Sequence, residues 1–201
     1  MHARAVELLL PYLLPMAEDD RSSEDAVKTV GVNGRPRRVL DIGSGSGFLV
    51  HVFAELVGDK SRVVGLDHLT ELRNLGEANM RKFDEGVRFL ESGRVQFHQG
   101  DGRDGWDAVD TMTGSDHGWD VIHVGAGAIR LHEELVRQLR CPGRLFIPLA
   151  EEERWSSVQY IWTVDKDENG CICKTKHSLA EFVWLMNAPT EPVVYSQEGD
   201  V

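Results

Sequence analysis

The stretch VLDIGSGSGFL, residues 39–49, decides how this chain folds. Its first half belongs to an apolar run, RVLDI at 38–42, of the length of a buried strand. Gly43, Gly45 and Gly47 follow. Then Phe48, Leu49, Val52, Phe53 and Leu56 recur at helical spacing within 46–57 and are expected to face inward. Glycines between a strand and a helix let the backbone turn tightly and let a ligand approach it closely. The amino end of the helix offers N–H groups without intrahelical partners. A glycine-rich turn alone says little; this placement gives it meaning.

Outward from that turn, apolar runs alternate with amphipathic stretches. RVVGLD (62–67) predicts a second strand, and 70–83 a second helix, with Thr70 as its cap and Leu72, Leu75, Met80 and Phe83 inward. RVQFHQ (94–99) predicts a third strand and WDVIHVG (119–125) a fourth, apolar enough to be central. A helix is expected over 131–139, stopped by Cys141-Pro142-Gly143, and a fifth strand at 144–150. This rhythm predicts an α/β fold with a doubly wound, mostly parallel, Rossmann-like sheet. WSSVQYIWTV (155–164) and KTKHSLAEFVWLM (174–186), separated by DKDENG, predict a C-terminal antiparallel hairpin at one sheet edge. On the amino side, Ala5, Leu8, Leu9 and Tyr12 share one face of a helix over 3–14, and Pro15 discourages its continuation. Residues 17–37 are polar and read as an insertion on the surface of a single domain spanning 1–201.

The formal net charge is −11 over 201 residues. That argues against nucleic acid, whose binding needs a basic footprint, and against an anionic membrane face. No stretch approaches the roughly 18 apolar residues of a membrane span. Cys141, Cys171 and Cys173 cannot all pair, which predicts free thiols in a reducing compartment. With no leader-like pattern in MHARAVELLL, the expected location is cytoplasmic, and the expected state a monomer. No ligand spacing for a metal is present.

Three acids give the turn its chemistry. Asp67 closes the second strand, 20 residues past Gly47, where a carboxylate can accept from both hydroxyls of a ribose. Its bland reading is a helix cap. Asp41 sits just before the turn, where it would repel a pyrophosphate and favour an ammonium or sulfonium; otherwise it merely organises the turn. The glycines are spaced GxGxG, not the GxGxxG of nicotinamide-cofactor sites. S-adenosyl-L-methionine, with two cations and no phosphate, fits these features. Asp101, in GDGRDGW (100–106), falls on the same sheet edge and can accept from an adenine amino group, or can simply make an Asx turn. GSGSG is not a nucleophile elbow, GDKS at 58–61 is not a phosphate loop, and His132-Glu133 lacks a second histidine for a zinc site. His51, His98, His117 and His177 read as surface or packing residues.

Taken together, MHA (1–3), VLDIGSGSGFL, VVGLDHLTEL (63–72), SGRVQFHQGDGR (92–103), WDVIHVGAGA (119–128) and PGRLFIPLA (142–150) resemble the protein-L-isoaspartate (D-aspartate) O-methyltransferases, the protein-repair enzymes. The likeness runs from residue 1 to about 150 and is loose beyond. It implies binding of S-adenosyl-L-methionine, released as S-adenosyl-L-homocysteine, and methylation of the carboxylate of L-isoaspartyl residues in damaged proteins and peptides. It implies cofactor contacts at His2, Ser46, Asp67, His68, Asp101 and Gly102, joined by Gly43, Gly45 and Gly47, with Asp41 added from the chemistry above. Thr190 and Gln197 are candidates for the family's tail contacts, although their spacing fits poorly. The backbone around Val124–Ala126 is expected to border the reaction space. By the same resemblance, the family's hydroxyl-bearing loop beside the reacting methyl would precede Met1, so no catalytic residue is expected in this chain and its turnover is expected to be weak. The alternatives are a non-catalytic cofactor-binding remnant or adaptor, and a small-molecule methyltransferase, for which GDGR and DVIHVGA fit poorly.

Overall fold

A computed structural model describes residues 2–14, 35–106, 118–151 and 158–186. Helix α1 (His2–Leu13) is followed by β1 (Arg38–Ile42), α2 (Phe48–Leu56), β2 (Arg62–Asp67), α3 (Thr70–Met80), α4 (Asp84–Glu91), β3 (Val95–Gln99), β4 (Trp119–Val124), α5 (Glu133–Arg137), β5 (Leu139–Ala150), β6 (Gln159–Lys166) and β7 (Ile172–Ala180). The seven strands form one sheet in the order β3-β2-β1-β4-β5-β6-β7. The first five are parallel, and β6 and β7 run antiparallel at one edge. The doubly wound sheet and its terminal hairpin match the architecture expected from the sequence.

The chain leaves β1 for β2 and β3 on one side, then crosses back to place β4 and β5 on the other. A crevice opens at such a reversal, outside the carboxyl ends of β1 and β4. Two apolar cores flank the sheet. One gathers Leu9, Leu13, Leu49, Phe53, Phe89 and Phe97, and the other Leu40, Trp119, Leu135, Leu145 and Ile147. β1 and β4 are buried along their whole length, as parallel strands covered on both faces must be.

Several expectations need correction. The helix expected over 70–83 ends at Met80, and a separate helix, α4, begins after Phe83, whose backbone is extended. Leu75 and Phe83 face solvent rather than the core. The inward side of α3 is carried by Gly76 and Met80, since the Phe97 ring lies where a Cβ on Gly76 would stand, at 2.7 Å. Helix α4 was not anticipated: its buried positions, Gly86 and Phe89, are too few to make a visible apolar period. Phe48 is exposed because it opens α2 above the crevice.

Helix α5 is shorter than the 131–139 expected, at 5 residues. Cys141-Pro142-Gly143 does not stop it but lies inside β5. The β4–β5 register shifts there, from Trp119↔Leu139 to Val121↔Arg144, and a bulge is a place where a strand tolerates proline. The strand expected over 174–186 ends at Ala180; Trp184 then bridges back to Gly127. The strand expected from 155 begins at Gln159, with 152–157 outside the described residues. Most of the 17–37 insertion, together with Thr190 and Gln197, also lies outside them.

Beyond its apolar face, helix α1 is tied to the sheet by the Arg144 side chain. Arg144 Nη1 donates to the Leu8 carbonyl at 2.7 Å, its Nε and Nη2 donate to the Asp165 carboxylate at 2.5 and 2.8 Å, and its guanidinium lies 4.7 Å from the Tyr12 ring centre. That three-way grip holds the middle and end of α1 against β5, while His2 at its start lines the cleft.

Candidate cofactor site

A small open cleft lies at the switch point, lined by residues that include His2, Asp41, Ser44, Phe48, His123 and Phe182. Its floor is the glycine turn. Gly43 and Gly45 have φ of 76° and 51°, the left-handed region that glycine alone enters cheaply. Gly43 N–H donates to Leu66 O at 2.8 Å, and Gly125 N–H to Ile42 O at 2.7 Å, which draws the ends of β1, β2 and β4 together. A Cβ on Gly125 would stand 3.2 Å from Gly43 O, so the bare backbone at 125 keeps the mouth open. Gly47 serves packing instead: a Cβ there would meet Gly76 Cα and Phe97 at 3.0 Å.

The sequence candidates sort into two groups. His2, Asp41, Gly43 and Ser46 come together on the cleft wall. The His2 ring lies 5.3 Å from that of Phe48. Asp67 sits one strand away and is nearly fully buried; its Oδ2 accepts from Gly45 N–H at 3.0 Å and its Oδ1 from Leu69 N–H at 3.2 Å. It therefore also organises the glycine turn, and the carboxylate's remaining lone pairs stay available. His68 Nδ1 lies 3.2 Å from Asp67 Oδ1.

Asp101 and Gly102 do not line this cleft. They leave β3 at the same sheet edge, where Gly100 N–H donates to Asp67 O at 2.9 Å. Asp101 accepts from the Arg103 backbone N–H and Nε, both at 2.9 Å, as well as from Arg103 Nη2. These bonds hold its carboxyl below the usual range. Gly102 is glycine because a Cβ would collide with Ile42 Cγ2, at 2.2 Å.

Three lining residues went unnoticed in the sequence. Ser44 is buried and its Oγ makes no hydrogen bond; it was hidden inside the glycine run. His123 Nδ1 lies 2.6 Å from Oδ1 of Asp41, its register partner across the β1–β4 pair. The aligned strands RVLDI and WDVIHV could have suggested that pairing. Phe182 is placed by Gln159, which accepts from its N–H at 3.1 Å and donates to its carbonyl at 3.0 Å; nothing in the local sequence signals it. Gly125 falls inside the segment expected to border the site.

The buried Ser44 Oγ, the open glycine mouth and the acidic floor suit a ligand with a cationic amino-acid group. No Arg or Lys lines the cleft among the described residues to offset the charge of a pyrophosphate. Fold and site thus define a Rossmann-like domain with a cleft suited to a cationic ligand. Residues 29–189 match the family model described as protein-L-isoaspartate(D-aspartate) O-methyltransferase, and the chain belongs to that family. Protein-L-isoaspartate O-methyltransferase 1 of Arabidopsis thaliana is 37% identical over 185 residues, which cover 92% of this chain and 66% of that protein. Protein-L-isoaspartate O-methyltransferase 2 of the same plant is 39% identical over 135 residues, covering 67% of this chain and 40% of that protein. A Plasmodium falciparum structure titled a putative protein-L-isoaspartate O-methyltransferase, in complex with S-adenosyl-L-homocysteine, superposes with a TM-score of 0.68 at 25% identity, covering 92% of this chain and 73% of that one. The chain therefore spans 40% and 66% of the length of its two Arabidopsis relatives.

Proposed function

We propose that this chain binds S-adenosyl-L-methionine in the switch-point cleft and methylates the free carboxylate of L-isoaspartyl residues in damaged proteins and peptides. The observation that carries the cofactor is the cleft floor, where Asp41, the unpartnered Ser44 hydroxyl and the glycine turn converge. Family membership carries the substrate.

Asp41 and Ser44 would receive the amino-acid end, with Ser46 and His2 beside them. Asp67 and His68 would take the ribose hydroxyls, and Asp101 and Gly102 the adenine edge. When bound, the cofactor supplies a methyl group on a sulfonium, which a carboxylate takes by in-line displacement. An isoaspartyl carboxylate with a pKa of about 4 is ionised at neutral pH, so no residue need remove a proton. The chain's contribution is to hold the ligand, orient it and exclude water. His2, Phe48 and Phe182 wall the space above the floor.

Three exposed free thiols support a cytoplasmic location, and the net charge of −11 supports a monomer that does not engage nucleic acid or anionic membranes. No helix among the described residues is long and apolar enough to cross a membrane. The test is a methyl-transfer assay on a peptide with one isoaspartyl residue against its aspartyl twin, run beside calorimetry with the cofactor. Whatever transfer occurs is expected to be isoaspartyl-selective. Cofactor binding without transfer would instead favour a non-catalytic binding protein.

A further inference from the structure

Asp41 is 1% exposed and His123 4% exposed, and they face each other from β1 and β4. An ionised carboxylate only accepts, so the 2.6 Å contact places the proton on His123 Nδ1. The ring cannot swing away. Phe146 of β5 stacks on it with centroids 5.1 Å apart, and Phe53 of α2 meets it edge-on at 5.9 Å. No protein acceptor for Nε2 occurs among the described residues, and the ring lines the open cleft. With the ring in its neutral Nδ1–H tautomer, the pair carries one net negative charge. No Arg or Lys on the cleft wall offsets that charge among the described residues.

We propose that His123 is a positioning residue for the ligand's amino-acid end: as the neutral Nδ1–H tautomer it pins one oxygen of Asp41 and leaves the carboxylate's charge to receive an ammonium group in the cleft. This rests on the reading that the cleft takes S-adenosyl-L-methionine. His123 touches no reacting atom and moves no proton. Its effect is confined to the amino-acid half of the ligand, because Asp67 and Asp101, which would meet the nucleoside half, have no bond to it.

That confinement supplies the experiment. S-adenosyl-L-homocysteine and 5′-methylthioadenosine share the nucleoside and the thioether, but only the first carries the amino acid. Calorimetry on the whole chain and on His123→Phe and His123→Asn compares the two ligands, with thermal unfolding as the control for folding. His123→Phe is expected to weaken S-adenosyl-L-homocysteine by about ten-fold, the scale of one lost charge-assisted hydrogen bond. Methylthioadenosine binding should change less than about two-fold, and His123→Asn, which keeps an N–H donor, should restore most of the loss. Equal losses on both ligands would overturn the inference while leaving the cofactor reading intact. A wild-type chain that binds neither ligand would overturn both. Should His123→Phe fail to fold, nitrogen-15 NMR of the wild-type imidazole decides the matter: a protonated Nδ1 with a bare Nε2 is expected, and a doubly protonated ring would overturn it.

Discussion

Two aspartates sit on adjacent strands of this sheet, each only 1% exposed, and they are treated in opposite ways. Asp120, at the start of β4, accepts from Arg35 Nη2 at 2.5 Å, from Arg140 Nη1 at 2.9 Å and from the Arg38 backbone N–H at 2.8 Å. Arg37 Nη1 stands 4.0 Å off. Asp41, near the end of β1, has His123 alone as a side-chain partner among the described residues. Beside it lies a buried serine hydroxyl with no partner at all. A buried carboxylate ringed by guanidinium groups is tied into the fold; one left with a single side-chain partner is available to a cationic ligand. The amino edge of the sheet is therefore built for integrity and the carboxyl edge for binding.

Substitution at each site should break the symmetry in a different observable. Asp120→Ala leaves Arg35 and Arg140 without their shared partner, and is expected to lower stability by about 3–5 kcal/mol. Thermal or denaturant unfolding checks this; a loss below about 1 kcal/mol would show that the cluster is incidental. Asp41→Asn keeps the shape and an acceptor for His123. Stability should move by no more than about 1 kcal/mol, while affinity for S-adenosyl-L-methionine falls by about 1.5–3 kcal/mol. Calorimetry beside unfolding separates the two, and the reverse pattern would invert the comparison.

Ser44→Ala removes the orphaned hydroxyl. Unfolding should be unchanged or slightly harder, because a buried group without a partner is lost, and ligand binding should weaken by about 0.5–1.5 kcal/mol. The smallest effect belongs to Asp101, whose carboxyl is held below its ordinary value mainly by hydrogen bonds from the Arg103 side chain. A depressed folded pKa contributes stability above the ordinary carboxylate range, and that contribution is lost as the pH falls through the folded value. Arg103→Ala should therefore shallow the acid limb of the stability curve and leave neutral pH almost unchanged, since the pair is partly exposed. An unaltered acid limb would show that solvent already screens the pair.

The path from VLDIGSGSGFL to a strand, a tight turn and a helix was legible because burial, glycine freedom and helical spacing act over a few residues. RVVGLD and WDVIHVG were legible as strands for the same reason. The break at Phe83 and the proline inside β5 were not, since both depend on what lies across the interface: Met80 against Gly86 in one case, and the register shift beside Trp119 in the other. Asp67 was found by its spacing from Gly47, yet its bond to Gly45 N–H was not, because that bond closes only when β1 and β2 lie side by side.

By itself the sequence determined the strand and helix rhythm, the antiparallel tail, the glycine turn and the acidic character of the strand ends, all of which follow from composition and local period. The tertiary structure alone decided that Asp41 meets His123, that Ser44 is left without a partner, that Phe182 returns to wall the cleft, and that α1, tied down by Arg144, sets His2 in its lining. Each of these joins residues of different elements or depends on how those elements enclose the site. A side chain's partner is set by register and layer packing, and those are properties of the assembled sheet that no stretch of chain contains.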